Sequence, residues 1–363
     1  MYELSRNGYD SETILKMLKG NRKIGYEFQI LNVNNIPVGY VNASGTINFD
    51  SEARIKRIAR LKVNDLKEID YLNSKIKPYM CLYTSGGVLK FPLGVFLMST
   101  PSVSSDGTIT ERIIECYDLT QILADDKLTE RLIIPAGSNY VAMISGILAG
   151  AGITDYRIKP SSYSLSASIE FEIGTPKLDV VNALLTAINY QEIYCDATGV
   201  LVAEPYILPF KRKIEASYIT NKESIVLPNA TEQLDVFSAP NKVVRFLESV
   251  DRGRLIAEAT NDNPESRLST VSRGRVIVDV QSVSDIADQE ALNEYTRRVL
   301  MDKTIYETVT FNSAVMPNHE FLDCLYLDNK DLKISGTYIE SAWSIDLTVG
   351  GKMQHTCRKA VDL

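Results

Sequence analysis

Histidine is almost missing from this chain: 363 residues contain two, His319 and His355. Zinc sites draw on three or four ligands, and neither histidine has a second histidine or a cysteine at metal-ligand spacing. His355 and Cys357 stand two apart, where a strand would put both on one face, but one such pair is too few. The sequence therefore gives no reason to expect a metal or another cofactor. The five cysteines (Cys81, Cys116, Cys195, Cys324, Cys357) are scattered and odd in number. That excludes a disulfide framework and fits reduced thiols in a protein folded in cytoplasm.

An excess of positive charge is also missing. Lys and Arg total 39 against 46 Asp and Glu, a net charge of −7, so the broad basic footprint of a nucleic-acid binder is absent. No apolar run approaches the ~18–20 residues needed to cross a bilayer. The longest candidate, Val141 to Ala151, is interrupted by Ser145, Gly146 and Gly150. The opening MYELSRNGYDSE has no basic start and no apolar core, so it does not read as a secretory signal.

Catalytic patterns are equally scarce. There is no Gly-x-Ser-x-Gly nucleophile elbow. Gly146 and Gly150 read as helix packing and a helix end, since neither a phosphate loop nor a dinucleotide fingerprint follows them. Glu170 with Glu172, and Glu111 with Glu115, would share strand faces. Glycoside hydrolysis needs two carboxylates facing each other across a cleft. The chain is expected not to be an enzyme.

What the chain does have is apolar residues (45%), tyrosine (19, against 10 Phe) and short β-prone runs in series. The length leads us to expect at least two domains. Residues 1–24 hold a short helix from Asp10 to Leu18, with Ile14, Leu15 and Leu18 on one side. Residues 25–118 read as hairpins in series around Ser85-Gly86-Gly87 and Asp106-Gly107, the pattern of a sandwich or barrel. Residues 119–200 are more helical: a helix capped at Ser138 runs to Gly150-Ala151-Gly152, and a second starts at Thr175-Pro176. Leu178, Val181, Leu185 and Ile188 put one apolar stripe on that second helix. It leads into a hairpin, Ile193-Tyr194-Cys195 and Val200-Leu201-Val202, turning on Asp196…Gly199. Residues 201–240 return to strand. Residues 241–363 add further strands and a helix at 285–301, with Leu292, Tyr295 and Val299 facing inward and its charges matched to the helix dipole.

Arg54, Lys56, Arg57 and Arg60 cluster, with Lys62 beyond. Ile55, Ile58 and Leu61 lie between them, so the segment reads as amphipathic with a basic face. Two readings stand: contact with an acidic partner or a passing nucleic acid, or a solvated, ion-paired surface.

Several blocks together resemble the central hub protein of long-tailed bacteriophages and prophages, the tail-tip or baseplate hub family, also called minor tail protein. They are Ser51 to Arg57, Lys77-Pro78-Tyr79, Phe91 to Leu97, Tyr117-Asp118-Leu119, Pro135 to Val141 with its helix to Ile153, and Gly174 through Tyr206. Pro317 with Asp323 and Gly350 to Met353 complete the set, in one order over most of residues 40 to 358. The resemblance implies an α+β, mainly β fold. Two β-barrel-like tube domains and an inserted helical αββ domain would assemble as a homotrimeric, pseudo-hexameric ring. On this pattern 25–118 and 201–240 form the first tube domain, 119–200 the insertion and 241–363 the second tube domain. The implied partners are the distal tail or tail tube protein, the tape-measure protein and tail-tip or receptor-binding proteins. DNA would pass through the lumen without specific binding. The implied location is the virion tail, assembled in the bacterial host cytoplasm. The sequence ends at Leu363, soon after the last matching block, so no fused cell-wall hydrolase is expected. A receptor- or carbohydrate-binding tail-tip module and a cell-wall hydrolase are the alternatives.

Overall fold

The structure, a computed structural model, describes residues 1–64, 69–99, 102–105, 110–222, 224–234, 237, 239–249, 253–283, 285–304 and 307–359. The turn expected at Asp106-Gly107 lies outside these. The fold is α+β and mainly β. Its largest element is one 15-stranded sheet. In spatial order its main path runs Thr231–Leu234, Glu307–Ala314, Lys352–Lys359, Ile334–Asp346, Ala43–Asp50, Arg57–Asn64, Thr110–Asp118, Phe96–Met98, Lys75–Thr84, Lys23–Leu31 and Pro37–Val41. Among the described residues this path does not close on itself.

The beginning and end of the chain meet in the middle of the sheet. Ala43–Asp50 pairs antiparallel with Ile334–Asp346, placing Phe49 opposite Trp343 and Ile47 opposite Ile345. The two rings stack at 5.4 Å. Strand alternation turns Ile47, Phe49, Leu61, Met80, Phe91, Phe96 and Ile114 into one buried core, which the N-terminal helix Ser11–Lys19 joins through Ile14 and Leu18. Asp10 caps that helix by accepting the Thr13 N–H at 2.7 Å.

The return strands within residues 201–240 were expected to pair with the first β stretch. Their pairing is different: Ala216–Ile219 lies parallel to Cys324–Asn329, and Thr231–Leu234 lies antiparallel to Glu307–Ala314. Both therefore complete the C-terminal strands. Their core is Tyr218, Val309, Phe311, Leu325, Leu327 and Tyr338.

The helical stretch contains Tyr140–Gly150 and Lys177–Ala187. Asn139, one residue later than expected, caps the first by accepting the Ala142 N–H at 3.0 Å. Pro176 precedes the second without a side-chain cap. The predicted stripe Leu178, Val181, Leu185 and Ile188 is buried throughout. Lys242–Ser249, Gly253–Thr260 and Val278–Ser282 form a separate three-stranded sheet. It is followed by the helix Gln289–Lys303, capped by Asp288. Ile144, Leu148, Leu184, Leu247, Ala257, Ile286 and Leu292 share one core, so this module packs with the helical stretch.

Gly45 sits in the central strand at φ +147°, and a Cβ there would lie 2.1 Å from the Arg60 carbonyl oxygen. Gly137 has φ +83° with open space around it. Gly137→Ala should cost about 1 kcal/mol of backbone strain. Gly45→Ala should cost clearly more, because it also forces two paired strands apart. Urea unfolding followed by far-UV circular dichroism compares them, and equal losses would contradict the close approach.

Candidate functional site

The basic run does not form one surface. Arg57–Asn64 is a strand, so its side chains alternate. Arg57, Ala59, Leu61 and Val63 point into the core, while Ile58, Arg60 and Lys62 point out. Lys56 is 2% exposed and Arg57 1% exposed, which overturns their expected place on a partner-contact face. Arg60 is exposed and stands opposite Glu115 on the neighbouring strand. Arg54 is exposed and pairs with Asp179 at 3.0 Å.

Of the two buried cations, Arg57 is held by the loop of residues 315–323, and Lys56 by the Ser51 and Ala53 carbonyls and Glu192. Arg57 donates to Glu320 Oε2 at 2.6 Å and to the Leu93 carbonyl at 2.9 Å. Its backbone N–H donates to Asp118 at 3.0 Å. The guanidinium lies over the Phe49 and Trp343 rings, 5.6 and 5.1 Å from their centroids. The other oxygen of Glu320 accepts the Ala197 N–H at 2.8 Å, which belongs to the Asp196…Gly199 hairpin turn. Phe321 stacks on Tyr194 of the same hairpin at 4.6 Å and packs edge-on against Phe49 at 6.0 Å. Lys56 reaches Glu192 at 2.7 Å beside Phe321. One short loop thus ties the central sheet to the helical region. Burial pushes the Glu320 carboxyl up to about 7 against the pull of Arg57 and the Ala197 N–H. Burial likewise raises Asp118.

The same loop brings the two histidines together. His319 Nδ1 lies 2.5 Å from Glu340 Oε2, and His355 Nδ1 lies 2.5 Å from Glu340 Oε1. Their Nε2 atoms meet hydroxyls, Tyr218 Oη and Ser313 Oγ, each at 2.7 Å. All three residues are buried. A bulge between Glu340 and Ala342 shifts the register of the Ile334–Asp346 strand at this point, and bulges commonly re-aim a side chain. Burial pushes the Glu340 carboxyl up, but the two imidazoles outweigh it and hold it down at about 2. Burial lowers both histidines; Glu340 more than offsets this at His319, which ends above its ordinary value, and not at His355, which ends below. His319 and His355 are 36 positions apart in number, and nothing in local spacing foretold their contact. The only available hint was that His355 and Glu340 fall on β-prone segments next to each other in the chain.

The carboxylate pairs have ordinary roles where described. Glu170 and Glu172 both pair with Arg131 on the surface. The five cysteines are all buried and free. Among the described residues, no helix is long and apolar enough to cross a membrane.

Replacing Arg57 by Met should cost about 3–5 kcal/mol, because it strands the buried Glu320. Adding Glu320→Gln should recover part of that loss. Arg60→Ala should change stability by about 1 kcal/mol or less. Urea midpoints of the unaltered chain, both single variants, the double variant and Arg60→Ala test this; additive losses at Arg57 and Glu320 would contradict the pairing.

No protein-family model and no curated protein sequence matches the chain. Solved structures do. The tail protein of Neisseria meningitidis MC58 superposes with a TM-score of 0.67 at 11% identity, covering 92% of this chain and 97% of its own. The 43 kDa tail protein of prophage MuSo2 from Shewanella oneidensis gives 0.61 at 12% identity, covering 92% and 98%. Prophage tail protein gp18 of Listeria monocytogenes EGD-e gives 0.56 at 13% identity, covering 92% and 94%. The chain has the fold of these phage and prophage tail proteins along nearly its whole length.

Proposed function

We propose that this chain is a structural hub subunit of a long-tailed phage or prophage tail tip or baseplate, without enzymatic activity. The observation that carries the reading is the end-to-end match to the Neisseria tail protein, 92% of one chain on 97% of the other. A match confined to one segment would have suggested a shared module; this one spans the whole architecture. The strand pairing supports a division into two tube-forming units. One is built from residues 25–118, and the other from 216–234 together with 307–359. The helical stretch and the 242–303 module form the outer part. Three copies would then supply six tube units to a ring, which matches a six-fold tail tube in number. The partners on this reading are the tail tube or distal tail protein above, tip proteins below, and the tape-measure protein and DNA passing through the lumen. The net charge of −7 suits a lumen that does not grip DNA.

Native mass spectrometry of the purified chain, alone and with its tail tube or distal tail partner, tests the reading. The expected species is a trimer that appears as a ring by negative-stain microscopy. A strictly monomeric protein that binds purified cell-wall glycan would replace it with a tip-binding module. Loss of turbidity of cell walls on adding the pure protein would make it a hydrolase.

A further inference from the structure

We propose that His319, His355 and Glu340 form a structural binding site for a divalent transition metal of the zinc class. The donor set is two imidazoles and a carboxylate, the chemistry that zinc takes from nitrogen and oxygen ligands. The candidate ligand atoms lie within 4.8 Å of one another. Both histidines offer Nδ1 to the shared centre, and each has its other ring nitrogen held by a hydroxyl, Tyr218 or Ser313. That arrangement fixes ring orientation, as the outer partners of metal-bound histidines do.

Asp323 Oδ2 lies 3.7 Å from His319 Nδ1, but Asp323 is already engaged, pairing with the Met1 ammonium and accepting the Glu320 N–H. The three cluster residues therefore supply three ligands and leave the fourth position to water. A divalent ion would set positive charge against the Glu340 carboxylate, which is buried in a dry core. Ligands on one tetrahedral zinc stand about 3.3 Å apart, given bonds of about 2.0–2.2 Å. The 2.5 Å contacts to Glu340 therefore need to open by less than about 1 Å.

The walls suit a closed site. Phe311 stacks on His355 at 4.5 Å, and Tyr218 lies 4.9 Å from the same ring. A route inward also exists. His319 and Asn318 line a cavity of about 550 Å³ beneath the N-terminal segment, beside Tyr218 and Met316. A bound ion would clamp the 315–323 loop to the two C-terminal strands that carry Glu340 and His355. Through Glu320 and Phe321 it would also firm the junction with the helical region.

The test uses the full chain, stripped with a chelator and desalted. Zinc chloride is added, unbound metal is removed by gel filtration, and metal is counted by mass spectrometry. Cobalt(II) replaces zinc in a parallel sample. The expected result is zinc in stoichiometric amount, a higher Tm with zinc than after chelation, and the visible absorption of tetrahedral cobalt. Glu340→Gln and His355→Gln should each lose the retained metal and the Tm response. Should neither variant fold, the cobalt spectrum of the unaltered chain decides. A stripped protein that takes up no zinc and shows no tetrahedral cobalt band overturns the proposal. So does metal retained equally by the folded variants, which would place it elsewhere.

Discussion

A single buried ion pair, Arg57 with Glu320, sets the relation between the major parts of this molecule. Its two members come from the central sheet and from the 315–323 loop, and Glu320 also accepts the Ala197 N–H of the helical region's hairpin. A guanidinium in an apolar interior is costly unless its charge and donors find partners. Here the carboxylate and the Leu93 carbonyl take the two terminal nitrogens and two aromatic faces flank the group, while Nε stays without a hydrogen-bond partner. Displacing the loop would strand Arg57 and Glu320 together, so the three parts are held in one arrangement.

The central sheet joins strands from both ends of the chain through the contact of Ala43–Asp50 with Ile334–Asp346. The helical stretch and the 242–303 module share an apolar core that also takes in Leu31, Val95 and Leu97 from the sheet side, so polar, aromatic and apolar contacts all join them to the sheet.

Local physics made much of this legible in the sequence. Period-three-and-four apolar spacing marked the stripe of Leu178, Val181, Leu185 and Ile188, and Asp10 was read as a cap. The Asp196…Gly199 turn was legible because Asp196 bonds its own downstream N–H groups and Gly199 takes a positive φ. Boundaries slipped by one to four residues: the cap fell at Asn139 and not Ser138, and the last helix starts at Gln289 and not at 285. The basic run was read as one amphipathic segment with a single basic face, but a strand alternates its side chains. With period two, Arg57 goes in and Arg60 goes out.

The sequence by itself determined the class of fold, α+β and mainly β, and the stretches where the helices Ser11–Lys19, Tyr140–Gly150 and Lys177–Ala187 form. These depend on residues within a few positions of one another. Only the tertiary structure decided which strands are neighbours, where 216–219 and 231–234 belong, and that His319, Glu340 and His355 meet. Such contacts join residues far apart in the chain. Their energy is realised only after the loop between them has closed, and no local pattern records it.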